Sequence, residues 1–193
     1  MDLPADPVEA LRIWLADAEG ATARPDAMTL ATSSLDGAPS ARVVLLRGLD
    51  ERGLAFFTNR TSRKGLELAE NPRAALVLHW PELGRQVRVE GVVEEVEPAE
   101  SEAYWRTRPR GSQLAAWASP QSLPLDAREE LDELYAEVEE RFAGDDVPLP
   151  PFWGGYRVVP HAIELWTHRE NRLHDRIRYE RTTDGWRHER LAP

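Results

Sequence analysis

The chain has 193 residues, a formal net charge of −10 at pH 7 and no cysteine, with 41% apolar and 30% charged residues. This length suits one domain with a real core, and the lack of cysteine excludes disulfides, thiolate metal sites and cysteine nucleophiles. The acidic balance argues against general electrostatic binding of nucleic acid. No apolar run approaches the length of a membrane span, and the first residues lack the basic and apolar regions of a signal peptide. We therefore expect a cytoplasmic protein that binds neither nucleic acid nor membrane.

The first predicted element is a helix that begins after Asp6. Asp6 can cap it, Pro7 suits its first position, and Glu9 would complete a capping box. Gly20 can end it. Its apolar face would be formed by Val8, Leu11, Trp14 and Leu15.

From Met28 onward the pattern changes to short segments rich in β-formers, separated by turn residues. A short helix, Ser62–Glu70, interrupts them and ends before Pro72. The predicted strands are Met28–Thr32, Ala41–Leu46, Leu54–Thr58, Ala74–Trp80 and Gln86–Val96.

Helical segments follow at Pro98–Arg106 and Asp126–Phe142, the second with a capping box of Asp126 and Glu129. The last four predicted strands are Tyr156–Val159, Ile163–Trp166, Asp175–Glu180 and Trp186–Leu191, and the final two form a hairpin. Many short strands with helices at intervals indicate a single, mainly β domain, an antiparallel barrel with α insertions.

The sequence motifs of several common enzyme classes are absent. It contains no dinucleotide fingerprint, no Walker loop and no nucleophile elbow. None of the five histidines has a metal-type pairing, so we expect no metal site. The positive signals are local arginine clusters, which can bind small anions, phosphates above all.

The best candidate anion site is the segment Thr58–Lys64. Hydroxyls, backbone N–H groups and cations meet there, where a predicted strand turns into a predicted helix. Cations at a helix N-terminus oppose the helix dipole, which favours ligand binding over a simple cap. The segment therefore indicates a cradle for a phosphate dianion.

Three further segments are ambiguous when considered alone. Arg42–Arg47 is a strand between two arginines, for which solvent-exposed flanks are the simpler interpretation. Tyr104–Ser112 could bind a second anion through its three arginines, or it could be the end of a surface helix. Arg172–Arg176, as the start of a strand, would place Arg172, His174 and Arg176 on one face. His174 could donate to an anionic oxygen or accept a proton, but an exposed polar hairpin explains the run equally well.

Together and in this order, the segments resemble the pyridoxamine 5′-phosphate oxidase family. The resemblance runs from about Asp2 to the last residue, and the ordered set is far more specific than any single motif. The similar segments are Arg42–Arg47, Phe56–Asn59, Ser62–Lys64, Arg85–Val87, Arg108–Arg110, Ser112-Gln113, Trp117–Ser119, Gln121-Ser122, Phe152–Gly155, Ile163–Trp166, Arg172–Arg176 and Arg190–Pro193.

The resemblance implies a Greek-key split β-barrel of one domain, residues 1–193, with a dimerisation and substrate segment at 150–193. It also implies a homodimer with FMN at the subunit interface. The residues expected to bind FMN are Arg42, Val43, Val44, Leu45, Leu46, Arg47, Phe57, Thr58, Arg63, Lys64, Gln86, Gln121, Ser122, Trp166 and Arg176. Those expected to bind substrate are Arg47, Tyr104, Arg108, Ser112, Arg172, Leu173 and His174, of which Arg172 and His174 would be catalytic.

The implied activity is oxidation of pyridoxamine or pyridoxine 5′-phosphate to pyridoxal 5′-phosphate. A hydride would pass from C4′ of the substrate to FMN, and O2 would reoxidise the flavin, giving H2O2, with ammonia released from the amine. Two positions depart from the family: Arg47 replaces the usual lysine and Phe57 the usual tyrosine. They motivate an alternative, an FMN oxidase of another ring as in phenazine biosynthesis. A third hypothesis is a non-catalytic protein that binds flavin or pyridoxal phosphate.

Overall fold

The computed structural model describes residues 4–193, which form one sheet with helices around it. The helices are α1 (Pro7–Glu19), α2 (Arg63–Glu70), α3 (Pro98–Thr107), α4 (Arg110–Ala118) and α5 (Arg128–Arg141). The strands are β1 (Ala27–Ser33), β2 (Pro39–Leu45), β3 (Gly48–Asp50), β4 (Gly53–Asn59), β5 (Arg73–Trp80), β6 (Arg85–Glu95), β7 (Trp153–Thr167), β8 (Asp175–Thr182) and β9 (Gly185–Arg190).

The strands follow the order β2-β1-β5-β6-β7-β4-β3, and every pairing is antiparallel. β7 is the centre of the sheet, because β6 pairs along one of its edges while β4 and β8 share the other. A bulge opposite Glu90 and Gly91, where β7 carries the extra residue His161, bends β7 against β6. Gly91 fits there because a Cβ would lie 2.3 Å from the carbonyl oxygen of Val159. The predicted mainly β split barrel with α insertions is confirmed.

Alternate side chains of the strands form the core. Leu30, Leu76, Val89 and Ile163 lie opposite one another on four neighbouring strands and are fully buried. Helix α1 packs Leu11 and Trp14 onto this core. A second, smaller apolar cluster joins α3, α4 and β7 around Trp105, Leu114, Val147 and Trp153. The small cluster fixes the helical insertion to the sheet.

Most predicted elements are confirmed, with boundaries that move by a few residues. Asp6 caps α1, accepting from the N–H of Val8 at 2.9 Å. Two short elements, β3 and α4, were not predicted. The two strands predicted on either side of Pro160 are one continuous strand, β7. Pro160 is tolerated there because it lies at the bulge, where the regular ladder is interrupted.

Two local predictions are wrong. Helix α5 begins two residues later than expected, and the N–H of Asp126 donates to Glu130 Oε2 instead of Asp126 capping the helix. The run Arg172–Arg176 does not enter a strand as a unit. Arg172 ends a 3-10 turn with φ of 63°, and β8 begins only at Asp175. The expected alternation that would place Arg172, His174 and Arg176 on one strand face therefore does not apply.

Within residues 4–193, no helix has the length and apolar character needed to cross a membrane. Over the same range, no cluster of three or more His, Asp or Glu side chains is arranged to hold a metal ion.

Candidate functional site

The first group of candidate residues lies where β4 turns into α2. Asn59 makes this turn, because its Oδ1 accepts from both the N–H and the hydroxyl of Thr61 at 2.7 Å. The turn brings Lys64 beneath the end of β4. Its buried ammonium donates to three oxygens: Gln121 Oε1 (2.8 Å), Ser62 Oγ (3.1 Å) and Thr58 Oγ1 (3.2 Å).

This group of residues carries an excess of positive charge. Burial, and then the charge of Arg42, lower the pKa of Lys64 from 10.5 to about 8. The carboxylate of Glu67 is buried among four donors: Thr32 Oγ1 (2.5 Å), Ser40 Oγ (2.6 Å), Arg63 Nε (2.8 Å) and Arg42 Nη2 (3.3 Å). Burial alone would raise its pKa, but these hydrogen bonds lower it to about 2. We call the group of Arg42, Arg63, Lys64 and Glu67 the cationic cradle. Its three cations and one carboxylate leave a net charge of +2.

Gln121 and Ser122, from the segment after α4, close over the cradle. Ser122 has φ of 74°, and its hydroxyl accepts from the N–H of Arg63 at 3.2 Å. The structure thus brings together six residues that the sequence proposed for FMN, although they are distant along the chain: Arg42, Thr58, Arg63, Lys64, Gln121 and Ser122.

The second group surrounds a cavity of about 710 Å³ between α3, α4 and the end of β2, here called the arginine cavity. Its lining contains four of the seven residues expected to bind substrate, Arg47, Tyr104, Arg108 and Ser112, together with Arg24 and Asp26. No motif pointed to Arg24 or Asp26. Arg47 lies just beyond β2, and its Nη1 donates to Asp26 Oδ2 at 2.6 Å.

Arg108 is the least satisfied cation of the arginine cavity. Its guanidinium lies 4.9 Å from the ring centre of Trp153, and its Nη2 donates to the carbonyl oxygen of Ser112 at 2.7 Å. Its Nε is buried and has no hydrogen-bond partner among residues 4–193. Burial also lowers the pKa of Arg108, with the nearby charge of Arg47 acting in the same direction. An anion in the cavity would offset this penalty.

Phe57 connects the two groups. Its ring stacks on Tyr104, with ring centres 4.3 Å apart, and the next residue of β4 is Thr58 in the first group. The cationic cradle and the arginine cavity therefore adjoin along β4.

The third group lies on the outer face of β6, β7 and β8. Gln86, Trp166 and Arg176 stand directly opposite one another on these strands. Arg176 is held by Glu164, with contacts of 2.8 and 3.0 Å to its two carboxylate oxygens. The ring of His174 packs on Trp166, 4.6 Å between centres. Arg172 and Leu173 occupy the turn beside it, and Leu173 is 68% exposed.

The remaining candidates lie along and just after β2. Val43 is 65% exposed on the outer face, Val44 packs against the core, and Leu45 lines the arginine cavity. Leu46 is buried, and its N–H is already bonded to the carbonyl oxygen of Asp26. Among these residues, only Val43 and Leu45 offer side chains to a ligand.

Within one protomer the third group is separated from the cationic cradle. Arg42 stands opposite Leu30, in a row that faces the core, whereas Gln86 and Trp166 belong to the rows of the outer face. Thr58 pairs with Gly154 at one end of β7, and Trp166 is near the other end. One ligand could touch both groups only if two copies of the chain shared it.

Comparison with known proteins finds two family regions that together cover most of the chain. The family described as "Pyridoxamine 5'-phosphate oxidase" matches residues 16–144, and the "Pyridoxine 5'-phosphate oxidase C-terminal dimerisation region" matches residues 153–193. A protein of Rubrobacter xylanophilus named pyridoxine/pyridoxamine 5'-phosphate oxidase is 56% identical over 189 residues, covering 97% of this chain and 87% of its own. One of the same name from Thermosynechococcus vestitus is 54% identical, covering 100% and 91%.

Solved structures give the same result. PhzG from Burkholderia lata, in complex with tetrahydrophenazine-1-carboxylic acid, is 39% identical with a TM-score of 0.93, over 100% of this chain and 95% of its own. An FMN-binding protein from Nostoc punctiforme shares the fold at 19% identity with a TM-score of 0.78, over the full length of both chains. Matches to both family regions and relatives above half identity over nearly the whole chain show that this chain belongs to the pyridoxamine 5′-phosphate oxidase family.

Proposed function

We propose that this chain is an FMN-dependent oxidase that converts pyridoxamine 5′-phosphate and pyridoxine 5′-phosphate to pyridoxal 5′-phosphate, with O2 as acceptor and H2O2 as its product. The main support for this proposal is that two neighbouring sites, the cationic cradle and the arginine cavity, each have an excess of positive charge. A reaction between FMN and a phosphorylated substrate needs one such site for each phosphate. The names of the relatives support the same activity.

The cationic cradle fits the phosphate of FMN. Its net charge of +2 matches a phosphate dianion, and the buried ammonium of Lys64 is desolvated without a carboxylate of its own. Phosphate oxygens could take the place of the Gln121 carbonyl at this ammonium, while the hydroxyls of Ser62 and Thr58 stay within reach.

The arginine cavity fits the phosphate of the substrate. Arg24, Arg47 and Arg108 face one acidic residue, Asp26, so this cavity also has an excess of two positive charges. The buried Nε of Arg108 adds a donor that lacks a partner. These features favour a small dianion over a neutral ring substituent.

A homodimer would complete the site. Gln86, Trp166 and Arg176 would reach the flavin of the partner protomer from the outer face of the sheet, on which Val43 is also exposed, three strands away on β2. The match to a dimerisation region over β7, β8 and β9 supports this arrangement.

In the proposed reaction the chain supplies position and charge. FMN, when bound, provides the hydride acceptor for C4′ and the electrons for O2. Arg108, Arg47 and Ser112 hold the substrate phosphate, which fixes the distance of the pyridine ring from the anchor. Arg172 and His174 cover the ring from the turn before β8 and offer hydrogen bonds to its oxygen substituents.

The second candidate is oxidation of a phenazine precursor. The similarity to PhzG favours it, as does arginine at position 47, since a planar guanidinium pairs well with a ring carboxylate. The excess of two positive charges in the arginine cavity favours a phosphate dianion over a monoanionic carboxylate.

An absorbance spectrum under anaerobic conditions tests the proposal. Addition of pyridoxamine 5′-phosphate or pyridoxine 5′-phosphate to the FMN-loaded protein should bleach the flavin band, and air should restore it with uptake of oxygen. A protein that binds FMN but is bleached only by a reduced phenazine precursor would belong to the second candidate. Arg172→Ala and His174→Ala should lower turnover far more than FMN binding; equal losses would favour a non-catalytic binding protein.

A further inference from the structure

The turn that carries Arg172 and His174 is held in an unfavourable backbone conformation. Asn171 has φ of 55° and Arg172 φ of 63°, so two consecutive non-glycine residues occupy the left-handed region. Such residues cost roughly 1 kcal/mol each and persist only where surrounding contacts fix them. The base of the turn is closed by the pairing of Thr167 with Asp175. Residues 168–174 are called the 168–174 loop below.

One carboxylate ties the 168–174 loop to the last hairpin. Asp175 Oδ2 accepts from Arg169 Nε at 2.8 Å, and its Oδ1 accepts from Arg190 Nη1 at 2.5 Å. Hydrogen bonds from Arg169 and then Arg190 outweigh burial and hold the pKa of Asp175 below its usual range, so it stays ionised at neutral pH. Asp175 thus fixes Arg169 at the start of the loop while β9 anchors the other side.

Arg169 in turn orients the ring of His174. The backbone N–H of Arg169 donates to His174 Nδ1 at 3.2 Å. A ring nitrogen that accepts an N–H hydrogen bond carries no proton, so the proton of neutral His174 must be on Nε2. Trp166 and His168 pack on the same ring, with centres at 4.6 and 5.3 Å, and limit its rotation.

We propose that Asp175 is a positioning residue that acts through Arg169 to hold His174 as the Nε2–H tautomer, so that His174 presents a hydrogen-bond donor to an oxygen of the substrate. This role rests on the proposed function only in its last step, the approach of a substrate to Nε2. The interactions of Asp175, Arg169 and His174 are properties of the free protein. His174 is then a donor and not a proton acceptor at the reacting face.

Nitrogen NMR of the full-length protein tests the tautomer without any turnover. Histidine labelled with ¹⁵N is used at alkaline pH, and His174 is assigned by the signals that disappear in His174→Asn. The expected spectrum shows an unprotonated Nδ1 and a protonated Nε2, with slow exchange of the Arg169 amide. A protonated Nδ1 would overturn the proposal, whatever substrate the protein oxidises.

Asp175→Asn tests the positioning step, with Asp184→Asn as the control of equal charge change in the exposed β8–β9 turn. In Asp175→Asn the Arg169 amide should exchange at least about fivefold faster. Loss of the ion pair with Asp175 removes a contact that favours the closed loop by about that factor. The kcat should fall by a similar factor, while KM and FMN affinity stay within about twofold of the unaltered protein. Asp175→Glu should restore most of the kcat. Equal behaviour of Asp175→Asn and Asp184→Asn in amide exchange and kcat would refute the role of Asp175. If the unaltered protein shows no flavin bleaching with pyridoxamine or pyridoxine 5′-phosphate, the proposed function is refuted instead.

Discussion

Asp26 holds the guanidinium of Arg47 at the wall of the arginine cavity, with 2.6 Å between Oδ2 and Nη1. A second hydrogen bond joins the same two segments, because the carbonyl oxygen of Asp26 accepts from the N–H of Leu46, the residue before Arg47. Trp80 fixes the segment from behind by donating to the carbonyl oxygen of Pro25 at 3.1 Å. Burial alone would raise the pKa of Asp26, but hydrogen bonds from Arg47 and Arg24 lower it. The arginine at position 47 is therefore oriented by residues that the sequence did not single out.

This pairing predicts that the charge at position 47 matters more than its shape. Arg47→Met should raise KM for pyridoxamine 5′-phosphate about 30-fold, because a charge-assisted contact of about 2 kcal/mol is lost. Arg47→Lys keeps the charge and should stay within about fivefold. Steady-state oxygen uptake measures both. Arg128→Met, on exposed α5, is the control; a KM for Arg47→Met equal to that of the control would remove Arg47 from the substrate site.

The depressed pKa of Lys64 predicts how FMN binding depends on pH. The protonated ammonium attracts the FMN phosphate, and protonation is lost as pH rises through about 8. FMN affinity should therefore fall above pH 8, by at most about tenfold per pH unit. Flavin fluorescence titrations between pH 7 and 9.5 measure this. In Lys64→Met, affinity should be lower throughout and nearly flat with pH.

The same group has the opposite effect on the stability of the apo protein. Between pH 8 and 10.5 the unfolded chain binds more protons at Lys64 than the folded one, so this residue's contribution to stability rises with pH. A parallel loss of stability and FMN affinity over this range would therefore show that unfolding, and not Lys64 titration, weakens binding.

Glu67 is predicted to be a structural support of the cationic cradle. Its pKa of about 2 lies below the ordinary value of 4.5, so its contribution to stability is present above pH 4.5 and is lost as pH falls through about 2. Glu67→Gln should lower the free energy of unfolding at pH 7 by about 2–3 kcal/mol, because Arg42 and Arg63 lose their buried counter-charge. Urea denaturation measures it against Glu137→Gln on exposed α5. A difference between the two variants that persists unchanged at pH 2 would contradict this assignment.

The sequence predicted the elements whose signals are local. Asp6 and Pro7 mark the start of α1, and alternation in β5 marks its buried face. It missed α4, which has only nine residues and whose place is set by packing of Leu114 on Trp105 and Trp153. The strand predicted from Asp175 is confirmed, but Arg172 and His174 do not share its face, because the left-handed backbone at Asn171 and Arg172 has no signature in the sequence. The motifs identified the three cations of the cradle, but Glu67, Asp26 and Arg24 have no motif and appear only through their ion pairs.

The separation of the cationic cradle from Trp166 and Arg176 predicts complementation between two inactive variants. At an FMN concentration that saturates only the unaltered protein, Lys64→Met should be left largely without FMN by its altered cradle, and Arg176→Met by its altered outer face. If each site takes Lys64 from one protomer and Arg176 from the other, a mixed dimer contains one intact site and one doubly altered site. Random exchange makes about half of the dimers mixed, so activity should recover to about a quarter of the unaltered level.

The control for this experiment pairs two variants of the same group. Lys64→Met mixed with Arg42→Met alters every site of the mixed dimer, so no activity should return. Oxygen uptake after co-refolding measures both mixtures, and exchange is verified by a size tag on one variant. Recovery in neither mixture, with mixed dimers present, would mean that Lys64 and Arg176 serve the same protomer. That result would require the outer face of β6, β7 and β8 to have another role, because the sheet separates it from the cradle within one chain.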